Sequence, residues 1–259
     1  MRSSRRPGPL RLVVLSAVAA LVAVLAGCSG DEPTERRPGD AVTSEEAAVL
    51  AEVLYNDLQE GGADFEVSAP FAEGALLTLT GEVDFSRSTG RAQAVTTYSD
   101  GQPEETRTLF FTESELWQGD VPGLAEAVTA AGLPAAGYAR RPIAATDATG
   151  TASLLDVLVQ MVTRLSARSA DDPRSFEAYT WGGTQSVNGQ LASVFRSGTG
   201  AEVTVAADSR LLVQYATTLQ DFRVTITLDD HGQREITLPA DTDAVDLAAH
   251  PEIAAALGL

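Results

Sequence analysis

The sequence predicts an α+β fold: one large, curved antiparallel sheet of about eleven strands, wrapping helices on its concave face. Three observations predict it. Leu77, Leu79, Val83 and Phe85 alternate with Thr78, Thr80, Glu82 and Asp84, and Phe222, Val224, Ile226 and Leu228 alternate with Arg223, Thr225 and Thr227. A period of two gives a strand with one dry face and one wet face. Turn signals such as Asp100-Gly101, Asn188-Gly189 and Asp208-Ser209-Arg210 separate the runs, so strands adjacent in sequence pair as a meander. Apolar stripes at helical spacing supply the cover that the dry face needs.

The chain opens with Arg2, Arg5, Arg6 and Arg11 and no acid, followed by the apolar run Leu12 to Leu25, broken only by Ser16. Basic residues hold such a terminus on the cytoplasmic side. The run falls short of the roughly 20 residues of a spanning helix and has the length of an export signal. It ends in Leu25-Ala26-Gly27-Cys28. These four residues resemble the lipobox of bacterial lipoproteins. That resemblance implies cleavage before Cys28, a diacylglyceryl group on its sulfur, and a membrane-anchored chain on the extracytoplasmic face. The Arg5-Arg6 pair is followed by Pro7, Gly8 and Pro9, where a twin-arginine signal wants apolar residues, so ordinary export is expected. The organisation expected is therefore a signal at 1–27, a lipidated cysteine and flexible tether at 28–43, and one domain at 44–259. The tether is polar and carries two prolines and two glycines, a composition that stays extended and mobile.

Within the domain, Thr43-Ser44-Glu45-Glu46 is a capping-box pattern. Leu50, Val53, Leu54 and Leu58 form one stripe behind it, and Gly61-Gly62 ends the helix. Strands follow at about 77–85, 91–99, 106–112 and 115–118. Residues 121–131 are Ala-rich, opened by Pro122 and closed by Gly132, and predict a second helix. After an irregular stretch, 153–169 predicts the clearest helix, with Leu154, Leu155, Leu158, Met161, Val162 and Leu165 as its stripe, Thr151 as cap, and Asp171-Asp172-Pro173 as its stop. The last third predicts strands at 176–187, 190–196, 203–205, 211–219, 222–228 and 234–238, and a short helix after Pro251.

Cys28 is the only cysteine. The domain then has no disulfide, no thiolate metal site and no cysteine nucleophile, and its core alone must hold it. Every one of the 18 basic residues is arginine. With abundant Ala, Gly and Val, this suggests a high-GC genome such as an actinobacterium's. Removing the signal leaves 36 acids against 14 arginines, a formal net charge near −22. Such a chain repels nucleic acid and resists lying flat on an anionic membrane.

The order of elements resembles the LolA-like and LppX/LprG lipoprotein-carrier family. The residues that carry the likeness are Tyr179-Thr180-Trp181, the Asn188-Gly189 hairpin, Val203-Thr204-Val205, Asp208-Ser209-Arg210-Leu211-Leu212 and the terminal Ile236-Thr237-Leu238-Pro239. The resemblance implies an open half-barrel with helices in its mouth, and a cavity between them for the acyl chains of a lipid or glycolipid. Candidate lining residues are Leu77, Leu79, Val83, Phe85, Leu154, Leu158, Met161, Val224 and Ile226. The same side chains suit a closed core, so an envelope sensor or scaffold that binds a protein partner stands beside the carrier reading.

Catalytic chemistry is not expected. His231 and His250 are the only histidines, and neither lies in a Ser/His/Asp order with a nucleophile elbow. Gly61-Gly62 and Gly182-Gly183 do not sit in a phosphate-loop pattern. Asp241, Asp243 and Asp246 lack the glycine and closing glutamate of a calcium loop. Trp117 and Trp181 read as packing aromatics. No cofactor or metal is expected.

Overall fold

The structure, a computed structural model, describes residues 36–144 and 153–259. The signal, Leu25, Ala26, Gly27, Cys28 and Thr151 lie outside the described residues. The chain runs α1 (Ser44–Glu60), β1 (Gly62–Ala72), β2 (Ala75–Asp84), β3 (Thr89–Tyr98), β4 (Glu105–Phe111), β5 (Glu115–Gly119), α2 (Leu124–Ala130), β6 (Tyr138–Pro142) and α3 (Leu154–Thr163). It continues through the 3₁₀ turn Pro173–Phe176, β7 (Thr180–Val187), β8 (Gln190–Arg196), β9 (Glu202–Ala206), β10 (Leu212–Leu219), β11 (Phe222–Asp229), β12 (Ala244–Asp246) and α4 (Pro251–Leu257).

The twelve strands form one unclosed sheet in the order β12-β6-β5-β4-β3-β2-β1-β11-β10-β9-β8-β7. Two meanders meet in the middle, where β1 pairs with β11 and Asp64 faces Asp229. The sheet is mixed, because β12 joins β6 in parallel. Side-chain alternation sorts the faces. Phe65, Val67, Leu79, Leu109, Phe111, Leu116, Val224, Ile226 and Leu228 point inward to one core with α1 and α3. At the β12 end, Ala139 and Val245 meet α2 and α4 through Leu124, Val128 and Ile253. All four helices thus cover the concave face.

Local chemistry starts α1 as expected. Thr43 Oγ1 accepts from the Glu46 N–H and the Glu46 carboxylate accepts from the Thr43 N–H, satisfying two otherwise orphan donors. Gly61 closes the helix in the left-handed region at φ 101°. Several expectations need correction. The strand β1 was not expected, although Ala63, Phe65, Val67 and Ala69 alternate with Asp64, Glu66 and Ser68. The strands β6 and β12 were also unforeseen, and the sheet has twelve strands where about eleven were expected. The helix α2 starts after Gly123, leaving Pro122 outside it. The helix α3 is capped by Ser153 and stops at Thr163 rather than 169. Beyond it the chain turns its N–H groups onto α1: Ala167 donates to the Leu54 carbonyl and Asp171 to that of Ala51. Residues 234–238 form no strand, because both sides of β11, the strand they would fold back on, are already taken by β1 and β10.

Candidate functional site: the layer between helices and sheet

The structure brings the nine candidate lining residues into one apolar layer. Leu77, Leu79, Val83 and Phe85 come from β2 and its exit, Val224 and Ile226 from β11, and Leu158 from α3, all buried. Leu154 and Met161 of α3 pack against the same layer but stay half-buried, as do Leu155 and Ile143. The layer is tightly closed at its centre: Leu79, Val83, Leu158 and Ile226 are each 0% exposed, so no water-sized space adjoins them.

Polar bonds tie the first turns of α3 to the end of β6. Asp156, itself 2% exposed, accepts from Arg141 at 2.7 Å through Oδ1 and from the Ala144 N–H at 3.2 Å through Oδ2. One turn on, the Gln160 amide donates to the Ala144 carbonyl at 2.9 Å. Arg141 sits at an inward register position of β6, opposite Leu116, so the ion pair lies at the rim of the apolar layer. Its charges are paired and hydrogen-bonded, as burial requires. After Thr163, α3 passes into the segment that lies along α1.

A second polar contact lies on the other side of the layer. Asp57 of α1 is fully buried and accepts from the Leu212 N–H at 3.1 Å. Burial pushes its carboxyl well above the ordinary range, the Leu212 N–H pulls it down, and Glu60 raises it again. His231 approaches from the turn after β11. Burial pushes its imidazole below the ordinary value, against a raising contribution from the Leu212 backbone.

The opposite face of the sheet holds a groove that the sequence reading missed. It encloses about 470 Å³ and is lined by Asp64, Glu66, Thr80, Glu82, Thr227 and Asp229, with Asn188 at its wall. The β7–β8 hairpin places Asn188 there, where its amide donates to Asp229 at 3.1 Å. Alternation could have flagged the acids as one wet face. Nothing local indicates that a hairpin tip 41 residues away reaches them.

Among the described residues, no group of three or more His, Cys, Asp or Glu is placed to hold a metal ion. No described helix is long and apolar enough to cross a membrane. The fold and the layer define an open-sheet α+β protein with an apolar interior on one face and an acidic groove on the other. No family model and no curated protein matches the chain. Solved structures resemble it in outline. LprF from Mycobacterium bovis is 11% identical, covers 77% of this chain and 98% of its own, and gives a TM-score of 0.44. The Mycobacterium tuberculosis lipoprotein LppX is 12% identical over 76% of this chain and 96% of its own, with a TM-score of 0.38. A LolA superfamily protein from Nitrosomonas europaea is 9% identical over 76% of this chain and 96% of its own, with a TM-score of 0.27.

Proposed function

We propose that this chain is an exported lipoprotein, anchored through Cys28 at the outer face of a membrane, that binds a lipid or glycolipid and carries or presents it. The observation that carries the reading is the position of α3. It is an apolar helix laid over the dry face of the sheet, with polar bonds to β6 at its first turns and half-buried Leu154, Leu155 and Met161 along the rim. Displacing it uncovers a slot lined by Leu77, Leu79, Val83, Phe85, Val224 and Ile226, and frees Leu158 of the helix to face the same space. An acyl chain outside a membrane needs such a lining, at about 25 cal/mol per Å² of apolar surface shielded. The domain is then a binding module, not an enzyme.

The test is native mass spectrometry of residues 37–259, a compact unit that keeps the tether's pairing with β7, before and after solvent extraction. A bound lipid of defined mass supports the carrier. A clean apo mass, with no uptake from added envelope lipids, overturns it. The complete burial of Leu79, Val83, Leu158 and Ile226 favours the second reading, a sensor or scaffold with a closed core. That reading expects the apo mass and a protein partner recovered by crosslinking in cells. The anchor has its own test: Cys28→Ser should abolish acyl labelling and release the chain from membranes.

A further inference from the structure

The two ends of the β7–β8 hairpin are held by different means. At its root, Gly39 donates to the Trp181 carbonyl, Trp181 to that of Asp40, and Val42 to that of Tyr179, so the tether pairs with the outer side of β7. On the other side β8 pairs with β9 from Ala192 to Arg196. At the tip, Val187 and Ala192 pack with Ala206 and Val213 in a small apolar cluster. The Asn188 amide then donates to Asp229 and closes one wall of the acidic groove.

That amide is open to attack by its own backbone. Asn188 is exposed, and the next residue is Gly189, where a Cβ would meet nothing within 4 Å. No side chain therefore shields the Gly189 nitrogen. The strand ladder ends at the Val187–Gln190 pair, which leaves the Gly189 N–H outside it. Glycine is required there, because a two-residue turn of this kind holds both positions at positive φ, here 49° and 81°. Asn56 is the only other asparagine. It lies inside α1 and is followed by Asp57, whose side chain crowds a backbone nitrogen already held in the helix.

We propose that Asn188 is a site of spontaneous deamidation, and that the reaction releases the hairpin tip from the groove. The Gly189 nitrogen gives up its proton and bonds to Asn188 Cγ. The Cγ–Nδ2 bond breaks, and Nδ2 leaves as ammonia with that proton. Water then opens the five-membered imide at one carbonyl or the other, leaving aspartate or isoaspartate. The net change consumes water and releases ammonia, with no oxidant or reductant. Aspartate puts a carboxylate against Asp229, which already faces Asp64 across the β1–β11 pair. The nearby cation, Arg234, is committed to Asp64 and Asp230. Isoaspartate also lengthens the turn by one backbone methylene. Either way Asp229 loses its donor, while the root of the hairpin stays paired. The groove opens and the sheet remains folded.

The test holds the full chain in mildly alkaline buffer, since the attacking nitrogen must lose its proton. Peptide mass mapping reads the amide-to-acid mass gain at positions 188 and 56, and hydrogen exchange reads the backbone at 184–192. The expected result is acid accumulating at 188 while Asn56 stays intact. Exchange at the tip should become about fivefold faster in the modified chain, the effect of two like charges about 4 Å apart in water. Asn188→Asp should show the faster exchange from the start, and Asn188→Gln should keep both its amide and the slow exchange. An amide that survives at 188 under conditions that convert the isolated peptide 184–192 overturns the site. Conversion at 188 with tip exchange unchanged, in the aged chain and in Asn188→Asp alike, overturns the release.

Discussion

Asp57 Oδ1 and His231 Nε2 lie 3.8 Å apart in the seam between α1 and the turn after β11. That is too long for a hydrogen bond. Asp57 Oδ2 and His231 Nε2 are both buried without a partner, while Asp57 Oδ1 holds the Leu212 N–H that opens β10. Burial favours the uncharged form of each, so it pushes the carboxyl up and the imidazole down.

These directions fix a pH signature. The folded state keeps the Asp57 proton to higher pH than the unfolded chain does. Its contribution therefore falls as pH rises from about 3.9 toward the raised folded value. The unfolded chain protonates His231 first as pH falls through about 6.5, so that contribution falls on acidification. The two slopes oppose each other in mildly acidic solution. Asp57→Asn, which keeps an acceptor for Leu212, should leave the histidine slope alone, with stability rising toward neutral pH. His231→Gln should leave the opposite slope. Urea titrations from pH 4 to 8 read both, and parallel profiles for the two variants would refute the assignment. Asp57→Ala, which orphans the Leu212 N–H, should cost about 1–3 kcal/mol.

Arg141→Met strands the Asp156 carboxylate, which is 2% exposed, at the edge of the apolar layer. A stranded buried charge costs about 3 kcal/mol, trimmed here because Arg141 retains some solvent contact. Thermal unfolding measures the loss. If α3 is the cover of a lipid slot, the same variant should also take up a fluorescent fatty acid faster than the parent. Unchanged uptake alongside lowered stability would leave α3 as a fixed part of the core.

Leu158→Trp tests the layer directly. Leu158 is fully buried in the core cluster, so the larger side chain should cost roughly 1–3 kcal/mol by overpacking. A carrier variant should also lose lipid in native mass spectrometry. A loss of stability below this range, with lipid retained, would place the acyl chain elsewhere.

Gly90 of β3 lies beneath the ring of Phe111, its partner on β4. A Cβ at Gly90 would fall 2.0 Å from the Phe111 Cζ. The Phe111 ring is fully buried and packs edge-on to Phe65 at 6.2 Å, so it has little room to yield. Gly90→Ala should therefore cost about 1–3 kcal/mol. Denaturant unfolding checks this, and a neutral result would mean that the ring has a second resting place.

The capping box predicts a smaller, local effect. Thr43→Ala removes the acceptor for the Glu46 N–H and should cost about 1 kcal/mol, read by thermal melts.

What was legible in the sequence was what short-range chemistry sets. The box at Thr43 and Glu46, the Asn188-Gly189 turn and the alternation of Phe222 to Leu228 all appear as expected, because each depends on neighbours within a few residues. The stretch Ala63 to Ala69 carried the same alternation and was overlooked, although it forms the central strand. Leu77, Leu79, Val83, Phe85, Leu158, Val224 and Ile226 were legible as one buried set, since a dry face must be covered. Whether that layer opens for a lipid was not, because a packed core and a lipid lining call for the same side chains.

By itself the sequence determined the fold class, most strand limits, the apolar face and the covering role of the helices, all consequences of side-chain period and turn chemistry. Only the tertiary structure decided that β1 joins β11 with Asp64 opposite Asp229, that α3 stops at Thr163 to give its following N–H groups to α1, and that the tether lies against β7. It also decided that Asn188 walls an acidic groove and that Asp57 is buried beside His231. These contacts join residues far apart in the chain. Their energies come from satisfying backbone groups and charges across the fold, which no local pattern encodes.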